Sequence, residues 1–112
     1  MKHNESTQQT KCVKWFRTYY PDYVLFAVPN GGNRSAITGA ILKAEGVMPG
    51  VADLFLAHAS CGLHGLFIEM KDTKGRQSDS QKAFEEKALA AGYGYVVCRS
   101  FEEFQDEIQQ YI

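Results

Sequence analysis

Gly65-Leu66-Phe67-Ile68-Glu69-Met70-Lys71 is an apolar run that ends in a carboxylate and an ammonium two residues apart. Side chains of a β-strand alternate faces, so Glu69 and Lys71 share one face while Ile68 and Met70 take the other. Opposite charges on one face at the end of a core-like strand are costly unless the fold uses them. A second acid, Asp53, stands in a similar setting upstream, in Pro49-Gly50-Val51-Ala52-Asp53-Leu54-Phe55-Leu56-Ala57. An Asp on one strand followed by Glu-x-Lys on the next is a donor set that can build a metal-dependent phosphodiester-cleaving site.

Outward from these two strands, at about 51–57 and 65–71, the turn residues Ser60-Cys61-Gly62 join them. Upstream, residues 4–20 read as an amphipathic helix with Gln9, Val13, Phe16 and Tyr20 on one stripe, stopped by Pro21. Residues 23–28 form a strand closed by Pro29-Asn30-Gly31-Gly32, and the pattern Ile37, Ile41, Leu42 makes 34–45 a short helix, stopped by Gly46. Downstream come a polar loop over 72–80, a helix over 80–91, a strand at 95–98, and a last helix opened by the capping box Ser100-x-x-Glu103. The order α-β-α-β-β-α-β-α predicts an α/β fold, a mixed central sheet flanked by helices on both faces. Its final crossover should set the fourth strand parallel to the third.

A chain of 112 residues reads as a single domain, 1–112. Hydrophobic content of 45% argues against disorder, and no apolar run approaches the roughly 20 residues that span a bilayer. The polar start lacks a signal-peptide core, so a cytoplasmic location and no membrane partner are expected. Cys12, Cys61 and Cys98 are too few and scattered for a disulfide framework; Cys12 and Cys98 sit in apolar patterns as buried hydrophobes. The net charge of −1 hides an asymmetry. All 12 bases precede residue 100, whereas Glu102, Glu103, Asp106 and Glu107 follow it, so positions 1–99 carry +3. That permits a polyanionic partner without requiring one.

Each candidate also has a plain structural reading. Asp53 can be an acid at the solvated end of a strand or a partner for Lys71, although Asp is depleted within strands. Glu69 and Lys71 can belong to an ordinary edge strand, but Gly65 and Phe67 on their face are not solvent alternation. As a site, the two carboxylates offer hard oxygen ligands, and Lys71 orients an attacking water and offsets charge on the phosphate. Glu5 favours the helix dipole, yet one step back from Gln9 it also falls on the inward stripe. Gln81 completes a capping box with Ser78, or holds Lys71 or a phosphate. Lys74 and Arg76 in the loop, and Arg34, Lys43 and Asn30 around the Asn-Gly-Gly turn, are candidate DNA-backbone contacts; such groups are more often simply solvated. Trp15, Phe16, Tyr19 and Tyr20 can stack on bases, but at helical spacing they read mainly as core. His58-x-x-Cys61-x-x-His64 supplies only three zinc ligands inside a short connection.

Taken together, Pro29-Asn30-Gly31-Gly32-Asn33-Arg34, the segment Leu42–Leu54, Gly65–Lys71 and Gln81, after an early helix carrying Glu5 and Gln8/Gln9, resemble a stand-alone VRR-NUC domain. This virus-type replication-repair nuclease belongs to the PD-(D/E)XK superfamily, and the resemblance spans roughly residues 4–104. It implies a Mg²⁺- or Mn²⁺-dependent endonuclease with Asp53, Glu69 and Lys71 as its catalytic core, assisted by Glu5 and Gln81. It further implies that Asp53, Glu69 and the backbone carbonyl of Met70 hold the metal, with Glu5 acting at a second site or through water. The resemblance to small phage and bacterial members also implies a homodimer that cuts branched DNA such as four-way (Holliday) junctions. One position departs from the family pattern: the proline usual before the catalytic Asp is Ala52 here, which removes stiffness but no chemistry. Three rivals follow: a non-catalytic nucleic-acid-binding module on the same fold, a base-reading restriction-type enzyme, and a structural zinc module.

Overall fold

The computed structural model describes residues 3–29 and 35–112, with side chains from residue 5 onward. Asn30 and Arg34, and the Asn-Gly-Gly turn, lie outside the described residues. The elements are α1 (His3–Tyr19), β1 (Leu25–Ala27), α2 (Ala36–Ala44), β2 (Leu54–Leu56), β3 (Leu66–Met70), α3 (Asp79–Ala90), β4 (Gly94–Cys98) and α4 (Phe101–Tyr111). They form a sheet ordered β1-β2-β3-β4. The first three strands are antiparallel and β4 runs parallel to β3, as the crossover rule predicts.

Strand alternation sorts the sheet into two unlike faces. Leu54, Leu56, Leu66, Ile68, Met70 and Cys98 are buried on one face, packed with Cys12 and Phe16 of α1 and Phe104, Ile108 and Tyr111 of α4. On the other, Phe26, Phe55 and Phe67 form a row with ring centroids 5.8 and 4.6 Å apart. Phe84 of α3 meets Phe67 edge-on at 4.9 Å, so α3 covers this second face. Trp15 packs against Phe101 and Phe104, and Phe16 stacks on Tyr20, which makes them core; Tyr19 is exposed.

Two expected strands are shorter than their apolar runs, β1 against 23–28 and β2 against 51–57. Chain pairing nevertheless continues past their ends. The Val28 N–H donates to the Asp53 carbonyl at 2.8 Å, and the Ala57 N–H to that of Val24 at 2.9 Å. Regular strand geometry stops because Gly50 turns through φ +86° and the Asp53 carboxylate takes a backbone donor itself.

α2 forms where its pattern predicts a helix, but its apolar stripe is largely uncovered. None of its residues is buried, and Ile37 and Ile41 are 75% and 54% exposed. The β2–β3 turn, where Cys61 and Gly62 take positive φ, is tied instead to the end of α4. There the Ser60 hydroxyl donates to the Tyr111 carbonyl, and the Tyr111 hydroxyl to the His58 carbonyl at 2.6 Å. His58 packs on Tyr23 and His64 on Tyr93, while the Cys61 thiol lies 3.5 Å from the Tyr111 carbonyl oxygen. Among the described residues, no group of three or more His, Cys, Asp and Glu is placed to hold a metal. Nor is any described helix long and apolar enough to cross a membrane.

Candidate active site

A cavity of about 530 Å³ opens where β3 runs out, and Glu5, Gln9, Asp53, Glu69, Lys71 and Gln81 all line it. The antiparallel register explains the central pair. Leu54 opposes Ile68, so one step outward Asp53 falls opposite Glu69, on the α3 side of the sheet. Asp53 is fixed there by its Oδ2, which accepts the Met70 N–H at 2.7 Å. Alternation puts the Met70 side chain in the opposite layer, wholly buried, while its backbone stays beside Asp53.

Glu69 is 2% exposed. Its Oε2 accepts the Gln81 amide at 3.0 Å and lies 3.6 Å from Lys71 Nζ. Its Oε1 is buried with no hydrogen-bond partner, as is Oε1 of Gln9. Burial pushes the Glu69 carboxyl up to about 8; the Asp53 charge and a hydrogen bond with Asp53 push the same way, while Lys71 opposes them. Two carboxylates crowded together repel, and a cation between them relieves that repulsion.

That is the test of fit for a divalent metal. A buried carboxylate oxygen without a donor, facing a second carboxylate, suits a hard cation that prefers oxygen ligands. Asp53 and Glu69 are the side chains that would hold it. Glu5 lines the cavity at 8% exposure but does not form a three-carboxylate cluster with them. Mg²⁺ keeps several of its waters, and Glu5 and Gln9 Oε1 are acceptors available to them.

Gln81 satisfies both of its sequence readings at once. Its backbone N–H donates to Ser78 Oγ at 3.2 Å and its Oε1 accepts the Ser78 N–H at 2.8 Å, closing the capping box of α3. The other end of the same amide holds Glu69, rather than the Lys71 or phosphate considered from the sequence. Gly50 packs directly under this turn, where a Cβ would come within 2.3 Å of the Ser80 carbonyl oxygen.

The basic candidates stand apart from the cavity lining. Lys74 and Arg76 are exposed on a braced loop, not a loose one. Asp72 Oδ1 accepts the N–H groups of Lys74 and Gly75 at 3.0 and 2.6 Å. From behind, Arg99 Nη1 donates to the carbonyls of Asp72 and Gly75 at 2.9 and 2.6 Å. Lys43 is exposed in the last turn of α2. Sequence reading missed Arg99, and it placed Gln9 in the helix stripe without a role. The available signal for Gln9 was a polar pair, Glu5 and Gln9, four residues apart on an otherwise inward helix face.

No family model matches the chain, and no curated protein does. Among solved structures, one described as "VRR_NUC domain protein" superposes with a TM-score of 0.85 at 28% sequence identity. The match covers 100% of this chain and 90% of that one. The chain has the fold of a VRR-NUC domain. Its mixed four-stranded sheet and four helices carry the fold that the sequence motifs imply, and the VRR-NUC likeness makes this a nuclease-like domain.

Proposed function

We propose that this VRR-NUC domain is a Mg²⁺- or Mn²⁺-dependent endodeoxyribonuclease that hydrolyses phosphodiester bonds in branched DNA such as four-way junctions. The observation that carries this reading is the meeting of Asp53, Glu69, Lys71 and Gln81 in one cavity, with Glu69 Oε1 buried and unpartnered. Asp53 and Glu69 hold the cation, with the Met70 carbonyl as a further oxygen. When bound, that cation lowers the pKa of its water and takes up charge from the phosphate. Lys71 orients the attacking water and neutralises charge developing on the phosphoryl oxygens. Gln81 keeps Glu69 aimed into the cavity, and Glu5 accepts a proton of an ordered water at its rim. Lys43, Lys74 and Arg76, with Asn30 and Arg34 outside the described residues, contact the DNA backbone.

The working form is a cytoplasmic homodimer whose two cavities address opposing strands of a symmetric junction. The apolar side chains Ile37 and Ile41 of α2, exposed among the described residues, support a self-associating flank. The test is a labelled panel of linear duplex, single strand, flap, fork and four-way junction, incubated with Mg²⁺ or Mn²⁺, alongside light scattering at micromolar concentration. Paired symmetric nicks in the junction and a dimer mass are expected. DNA binding without any cleavage by the wild type would favour the non-catalytic module instead.

A further inference from the structure

A second depression, of about 580 Å³, runs along one face of α1. Ser6, Gln9, Thr10, Lys14, Arg17 and Thr18 line it at helical steps, and among the described residues no acid does. Gln9 also lines the cavity that holds Asp53 and Glu69, so the two spaces meet at its side chain. Between Ser6 and Thr18 the helix rises about 18 Å at 1.5 Å per residue, the span of roughly five nucleotide steps at 3.4 Å each.

The charges on this face are available. Lys14 is exposed and forms no ion pair among the described residues. Arg17 spends one donor on the Leu25 carbonyl at 3.3 Å, which holds the guanidinium in place and leaves its other N–H groups open. Lys11, by contrast, sits 4.4 Å over the Phe101 ring on another side of the helix. Glu5 is the only acid of α1, and it stands at the cavity end. The face thus carries positive charge at Lys14 and Arg17, then runs through the neutral polar side chains of Thr10 and Ser6 to Gln9, where it meets the cavity of the carboxylate pair.

We infer that this α1 groove carries the backbone of one nucleic-acid strand into the cavity, with Lys14 and Arg17 on its phosphates. The occupant rests on the nuclease reading; the groove and its charge do not. The test measures binding of a fluorescein-labelled four-way junction and a labelled duplex by anisotropy in EDTA across a salt series. In parallel, Mn²⁺-dependent hydrolysis of bis(p-nitrophenyl) phosphate reports the cavity alone. Replacing both residues (Lys14→Ala with Arg17→Ala) should lower the slope of log affinity against log salt by about 1.8 on the duplex. Affinity at low salt should fall on the order of tenfold or more, with kcat and KM for the small ester unchanged. Lys14→Ala alone, which disturbs no described side-chain contact, should lower the slope by about 0.9. Wild-type slope and affinity in both variants would overturn the inference, as would wild-type protein that binds no DNA or takes polyglutamate equally well. If the slopes fall as expected but neither DNA nor ester is cut, the groove stands and the nuclease reading fails.

Discussion

The end of β3 and the flank formed by α2 use their side chains in opposite ways. At β3, single groups serve two partners: the Gln81 amide closes a helix cap and holds Glu69, and Asp53 holds the Met70 backbone while facing Glu69 across the strands. Along α2, apolar side chains of a well-capped helix bury nothing among the described residues. Ser35 caps α2 through the Thr38 N–H at 3.1 Å, so its helical state needs no packing partner for a start. The contrast teaches that order among the described residues is concentrated where polar groups are cross-tied, whereas the exposed α2 stripe orders nothing within the protomer.

The sharpest break of that contrast is chemical. Lys71→Ala and Glu69→Gln should each slow cleavage on the order of 10²–10⁴-fold, whereas Ile41→Ser should leave hydrolysis of a small activated diester unchanged. Initial rates under saturating Mn²⁺ decide it, and a wild-type rate in either cavity variant removes the assignment. Next in size is stability. Phe104, wholly buried in α4, should cost about 3–5 kcal/mol on truncation to Ala, while Ile37→Ala should stay within about 0.5 kcal/mol. Urea unfolding of the two variants makes that comparison directly.

A third prediction concerns pH. Glu69 is raised in the folded state to about 8 by burial and by Asp53, above the ordinary carboxylate range that the unfolded chain keeps. Between those two values the native state binds more protons, so stability is greatest below the unfolded value and declines as pH rises through 8. In EDTA the Tm should fall from pH 5 to pH 8. Glu69→Gln should flatten the decline, and saturating Mg²⁺ should oppose it; an identical slope in Glu69→Gln would show that other groups set it. Among the cavity residues the smallest effect on stability is expected from Gln81→Ala, about 1 kcal/mol through the lost side-chain half of the capping box. It should be accompanied by weaker Mn²⁺ binding in calorimetry, whereas Ile37→Ala changes neither.

Much of this organisation was legible in the sequence because it follows from alternation and punctuation. Period 2 put Phe67, Glu69 and Lys71 on one face, and glycines 46 and 92, both at positive φ, ended helices where expected. The Ser100 box was nearly right: Ser100 Oγ accepts the Glu103 N–H, but Glu103 returns its bond to the Arg99 N–H, one residue early. What sequence did not disclose was long-range. The reach of Gln81 across to Glu69 and the Arg99 clamp on the 72–75 turn both join residues that only the folded chain brings together. The exposure of α2 was hidden for the same reason, since an inward stripe and an unpartnered one share a single pattern.

Gly50 bears no functional group, yet its lack of a side chain sets how closely the segment before Asp53 approaches α3. Its bare backbone lets the segment leading to Asp53 nest against the opening turn of α3, from which Gln81 reaches Glu69. A methyl group there would act as a wedge, prising the helix away and loosening both carboxylates together. Damage at this position would therefore masquerade as a chemical defect, although no atom of residue 50 need ever meet the substrate.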